Sequence, residues 1–163
     1  MIALLVLVAC STTTSSPGGP VAIVVQTPSG GATSSAVPAS PDAVTTAVGK
    51  YHLTWSTTPA TIPFNELFSI RTAVSDASGA PVTNATVTVD ASMPQHGHGM
   101  ATHPITDPGT CSAPTDGTAP VCVHPDGVYV TDGMKFHMAG EWVIHFEIRG
   151  PNGTDSADVH DTL

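Results

Sequence analysis

Apolar residues recur at every second position in four separate stretches of this chain. That period belongs to strands with one buried face and is incompatible with a packed helix. Tyr51, Leu53 and Trp55 share one face of the first stretch, with His52 and Thr54 opposite, and Phe68, Ile70, Thr72 and Val74 repeat the pattern. In the third, Ala85, Val87, Val89, Ala91 and Met93 alternate with Thr86, Thr88 and Asp90. In the fourth, Trp142, Ile144, Phe146 and Ile148 alternate with Val143, His145, Glu147 and Arg149. Turn residues separate the runs: Asp76 to Pro81, Asp126-Gly127 and Asp132-Gly133, the last expected to open a short strand from Met134 to Met138. Several short strands with turns between them predict an all-β chain folded as an antiparallel β-sandwich. The polar tail 151–163 is expected to fray.

The N-terminal part reads differently. Ile2 to Ala9 is an uninterrupted apolar run ending at Leu7-Val8-Ala9-Cys10, which resembles the lipobox of a bacterial lipoprotein. In such proteins the cysteine is lipidated and becomes the first mature residue, so 1–9 is expected to be a signal peptide and Cys10 a membrane anchor. The run is too short to span a bilayer. Of the 38 residues from Ser11 to Val48, 23 are Ser, Thr, Pro or Gly. Such a segment buries too little apolar surface to offset its ordering entropy, so 10–48 is expected to be a flexible, disordered linker preceding the domain. Val21 to Val25 is its one apolar patch and could add an edge strand.

With Cys10 assigned to the lipid, Cys111 and Cys122 remain as a pair flanking the polar loop Ser112 to Val121. In an oxidising envelope compartment they are expected to form a disulfide, the alternative being a pair of thiolate ligands. The folded domain is then 49–150, which suffices for one core. From Gly49 onward the chain carries 4 basic and 12 acidic side chains. That balance excludes nucleic acid as a partner, because phosphate neutralisation needs clustered Lys and Arg.

Chemistry concentrates in two short segments. Met93-Pro-Gln-His-Gly-His-Gly-Met100 is followed by His103, and Met134-Lys-Phe-His-Met138 echoes it. Thioether sulfur is soft and uncharged and does not form disulfides, and imidazole nitrogen serves both Cu(I) and Cu(II), so the mixture suits copper, with zinc the weaker alternative. His96, His98 and Met100 are spaced by glycines, so an extended backbone would put the three donors on one side. Met93 has the inward parity of its strand and is also a core candidate. In the second segment Met134, Phe136 and Met138 share a face opposite His137, which makes His137 its best ligand and leaves Met134 and Met138 as further donors. His52, His124, His145 and His160 have no donor-rich neighbours in sequence and read as surface residues.

Further residues resemble the YtkA-like or FixH-like domains of bacterial envelope proteins. The match rests on Asp76 to Pro81 leading into Asn84-Ala85-Thr-Val-Thr-Val89, on Met93-Pro94 with His96 and His98, on Gly127-Val-Tyr129, and on Phe136-His-Met138-Ala-Gly140-Glu-Trp142. It covers about Lys50 to Arg149, and the chain differs in carrying the Cys111 to Cys122 loop and the lipoprotein tether. The resemblance implies an immunoglobulin-like sandwich and a role in copper handling or oxidase assembly.

Three classes of function follow. The first is an envelope-anchored, non-enzymatic protein that carries, buffers or delivers copper, exchanging it with a copper-donating or copper-accepting envelope protein. The second is a copper redox enzyme or a zinc hydrolase, although the histidine segment contains no carboxylate to act as general base. The third is a structural or adhesive sandwich without metal.

Overall fold

The computed structural model describes residues 42–113, 117 and 119–163. Cys10, the signal peptide, Val21 to Val25 and the linker up to residue 41 lie outside the described residues. The elements are β1 (Asp42–Thr45), β2 (Tyr51–Thr58), β3 (Phe68–Asp76), β4 (Thr86–Met93), β5 (His98–Gly99), β6 (Ile105–Thr106), β7 (Thr110–Cys111), β8 (Cys122–Val123), β9 (Val128–Met134), β10 (Glu141–Gly150) and β11 (Gly153–Thr162).

Two antiparallel sheets form the sandwich, one ordered β1-β2-β3-β9-β6 and the other β11-β10-β4-β5. Taken in chain order, β2, β3, β9 and β6 occupy the A-B-E-D positions of an immunoglobulin domain, and β11, β10, β4 and β5 the G-F-C-C′ positions. The small ribbon β7-β8, closed by the Cys111–Cys122 disulfide, is inserted between the D and E strands.

The alternating runs supply the two inner faces. Tyr51, Leu53 and Trp55 of β2 and Phe68, Ile70 and Val74 of β3 meet Val87, Val89, Ala91 and Met93 of β4 and Trp142, Ile144, Phe146 and Ile148 of β10. Each fully buried side chain of this size stabilises the fold by about 1.5 to 3 kcal/mol. Trp55 and Phe146 meet across the layer with ring centres 6.0 Å apart.

Four expectations need correction. The segment 151–163 does not fray: Gly153–Thr162 is a full strand, paired with β10 from Gly150↔Gly153 to Glu141↔Thr162. Its inward side chains are small or polar, and one of them is a buried carboxylate. Asp155 accepts hydrogen bonds from the Thr46 hydroxyl at 2.6 Å and from the backbone N–H groups of Lys50, Val48 and Ser156. Burial alone would raise the Asp155 pKa, but these donors hold it down at about 2. The same contacts anchor Thr46 to Lys50. Together with β1 pairing along β2, they show that the last part of the expected linker, from Asp42, belongs to the domain.

Asp132-Gly133 is not a turn but a bulge inside β9. Phe68 pairs with Met134 and Ile70 with Thr131, so β9 carries one residue more than β3 between these pairs. Gly133 takes a φ of 87°, which a residue with a side chain adopts only with strain. The extra residue resets the parity of β9, so Met134 points inward, as Tyr129 and Thr131 do. The expected strand from Met134 to Met138 is therefore the end of β9 followed by an irregular connection, which carries the chain to β10 in the opposite sheet. The fourth correction concerns His124, which is not a surface residue. It is half-buried, with its ring centre 4.1 Å from that of Tyr129 and its Nδ1–H donating to the Val128 carbonyl at 2.8 Å.

Candidate metal centre

One end of the sandwich gathers the donor-rich segments. The β4-β5 hairpin turns there through Pro94 to Gly97, and the β9 to β10 connection crosses the same end. The hairpin is tight because the N–H groups of His96 and Gly97 both donate to the Met93 carbonyl, with Gly97 at a φ of 66°. The backbone is therefore not extended through His96. That residue sits exposed on the turn, whereas His98 opens the edge strand β5 and Met100 follows just beyond it, both partly buried. Gln95 fixes the turn to β10 by donating to the Glu141 carboxylate at 3.1 Å, and Glu141 also receives His160 Nδ1 at 2.6 Å.

The opposing wall is the connection after β9. Phe136 is buried and stacks on Trp142, with ring centres 4.4 Å apart and an interplanar angle of 1°. His137 follows it and is only partly buried. Trp142 is fixed by its indole N–H, which donates to the Met138 carbonyl at 3.0 Å. The backbone of Gly140 pairs in both directions with that of Leu163, so the end of β11 holds the connection in place.

Across this end the His96 and His98 rings lie 5.8 Å apart, and the His98 and His137 rings 5.5 Å apart, centre to centre. Two imidazoles bound to one ion through nitrogen at about 2.0 Å place their ring centres roughly 5 to 6 Å apart. His98 Nδ1 lies 3.1 Å from the Gly99 carbonyl, which can only accept, so the proton sits on Nδ1 and the Nε2 lone pair is free for a metal. His137 Nδ1 is buried with no hydrogen-bond partner among the described residues. A buried polar atom left unpaired costs about 1 to 3 kcal/mol, and coordination of an ion is one way to recover it.

The methionines divide by depth. Met100 is partly buried and its sulfur accepts from the Lys135 N–H at 3.5 Å, which places a thioether against the wall that bears His137. Met138 is also partly buried at this rim. Met93 and Met134, in contrast, are 1% and 0% exposed and packed in the core, so the structure does not bring them to an ion as the sequence pattern allowed. His103 is exposed, with its carbonyl beside Gly133, and its ring makes no close ring contact with the other three among the described residues. Likewise among the described residues, no three His, Cys, Asp or Glu side chains form a closed ligand group. Any site here needs thioether donors or a small closing movement of the exposed His96 turn. Cys111 and Cys122 are bonded to each other and are not thiolate ligands.

Sequence reading missed two features of this end. One is the tie from Glu141 to Gln95. The other is Trp142, which alternation marks only as a core residue, yet its ring centre lies 5.6 Å from that of His137 and 6.4 Å from that of His98.

Fold and rim together define an immunoglobulin-type β-sandwich with a His/Met cluster at one end. No protein-family model and no curated protein matches the chain. Among solved structures it is similar to a DUF4426 family protein from Pseudomonas aeruginosa PAO1. The identity is 11%, the TM-score 0.45, and the match covers 71% of this chain and 91% of that one.

Proposed function

We propose that this protein binds copper at the sandwich rim and carries, buffers or delivers it at the bacterial envelope, without catalysing a reaction. The observation that carries the reading is the approach of His98 to His137, at 5.5 Å between ring centres, from segments about forty residues apart in sequence and on opposite walls of one rim. Met100 and Met138 add soft donors beside them, and His96 stands on the turn above. This donor set suits copper over zinc, for which a closed site would favour thiolate, imidazole or carboxylate ligands.

Delivery follows from the mounting. His96 lies on an exposed four-residue turn, so a partner that offers His, Met or Cys can displace donors one at a time with little rearrangement of the core. The lipobox-like Leu7 to Cys10 supports a lipid anchor, and the Ser/Thr/Pro/Gly-rich segment after it supports a tether that raises the effective concentration of the domain near membrane acceptors. The YtkA-like motifs point to the same envelope role.

Titration with copper against a competing Cu(I) chelator tests the reading. The wild-type protein is expected to take up copper stoichiometrically. The variant combining His98→Ala with His137→Ala is expected to take up none, and equal uptake by the two proteins would refute the proposal.

A further inference from the structure

The rim has a third aromatic wall whose position bears on which copper ion it holds. The ring centres of His98, His137 and Trp142 form a triangle with sides of 5.5, 5.6 and 6.4 Å. An ion shared by the two imidazoles, near the midpoint between their rings, would therefore lie about 5 Å from the centre of the indole, inside the roughly 6 Å range of a cation–π contact. Both imidazoles stand nearly upright to the indole plane, at 73° and 71°. Phe136 covers one face of the indole in parallel stacking, and Met138 holds its N–H. The indole is fully buried, so water screens its quadrupole little.

We infer that Trp142 is a non-ligating wall of the rim site that selects copper(I) over copper(II). This inference rests on the copper reading above. A monovalent d¹⁰ ion is satisfied by a few soft or imidazole donors and tolerates an aromatic face where a further ligand would stand. Copper(II) prefers a tetragonal set of nitrogen and oxygen ligands, and an indole face offers no lone pair and leaves no room for water. The wall thus favours the reduced ion and disfavours the geometry that its oxidation requires.

Two measurements test this. The chain has two tryptophans, so Trp55→Phe leaves Trp142 as the only indole. Anaerobic Cu(I) loading of that protein is expected to shift the near-ultraviolet absorption of the indole to longer wavelength and to quench its emission. Separately, Trp142→Leu is expected to weaken Cu(I) binding roughly thirtyfold, the loss appropriate to a desolvated cation–π contact of about 2 kcal/mol, and to strengthen Cu(II) binding by removing the wall that excludes its further ligands. Full Cu(I) occupancy with an unchanged indole spectrum overturns the inference, whether or not the Leu variant folds. If Cu(I) does not bind the wild-type rim at all, the copper reading fails first and the inference falls with it.

Discussion

Two groups of histidines on this sandwich, one on the β10-β11 ribbon and one at the rim, are separated by their hydrogen bonds. On the outer face of the β10-β11 ribbon, His145 is paired with Asp158 and His160 with Glu141, each through Nδ1. At the rim, His96, His98 and His137 have no carboxylate partner among the described residues, and the buried His137 Nδ1 has no hydrogen-bond partner among them. A histidine already paired with a carboxylate across a strand ladder is accounted for by the fold. Three histidines without a carboxylate partner among the described residues, drawn together from two segments, are not accounted for in that way. Counting histidines in the sequence gives both groups equal weight, whereas their partners do not.

The two groups of histidines should respond very differently to substitution. Removing both ribbon histidines, His145→Ala with His160→Ala, should leave copper affinity unchanged. Removing His98 or His137 alone should lower it by at least about a hundredfold, as expected when one ligand is lost from a small set, in a chelator-competition assay. A reversed order would show that the ribbon holds the metal.

Next are the methionines, which sharpen the same contrast between core and rim. Met93→Ala and Met134→Ala should each destabilise the fold by about 2 to 5 kcal/mol in denaturant unfolding, because each leaves a cavity in a packed layer, and should spare copper binding. Met100→Ala should do the opposite, with a small effect on stability and measurable weakening of Cu(I) binding.

A smaller effect is expected from the disulfide. Cys111 and Cys122 close a short loop, 11 residues apart in sequence, beside the start of β9 and the start of β4. The rim lies beyond the opposite ends of those strands. Reduction should therefore lower stability by about 3 kcal/mol or less and leave copper affinity unchanged.

The smallest effect is confined to acid. The folded-state pKa of Asp155 is lowered to about 2 from an ordinary value of 3.8. Its stabilising contribution is therefore complete above roughly pH 4 and is lost as the pH falls towards 2. Thermal midpoints measured across that range should decline in the wild type, and Asp155→Asn should flatten that part of the decline.

Much of this architecture was legible in the chain. Alternation in β2, β3, β4 and β10 identified 14 of the 19 buried core residues, because large apolar side chains at period two have one way to be buried. β11 escaped because its inward positions are Asp155, Ala157 and Val159, and a buried carboxylate hides an inward face from any hydrophobic pattern. The hairpin signal Asn152-Gly153 was nevertheless present. Asp132-Gly133 misled in the other direction. A dipeptide that usually reverses a chain here supplies a bulge, and only pairing with β3 distinguishes the two. At the rim, parity made Met93 a core candidate as well as a ligand candidate, and it is buried, whereas the parity that set His137 apart from Phe136 assumed a strand that the structure replaces with an irregular connection. The wall formed by Trp142 was not legible, since nothing local in Gly140-Glu141-Trp142 reveals which rings its indole will face.

In the copper reading, imidazole and thioether donors from both walls of the rim meet on one ion. An X-ray absorption spectrum of the copper-loaded protein tests it most directly. Imidazole nitrogen neighbours are expected together with at least one sulfur neighbour, the sulfur signal diminishing in Met100→Ala and the imidazole signal in His137→Ala. A first shell of oxygen and nitrogen without sulfur, unchanged in both variants, would contradict it.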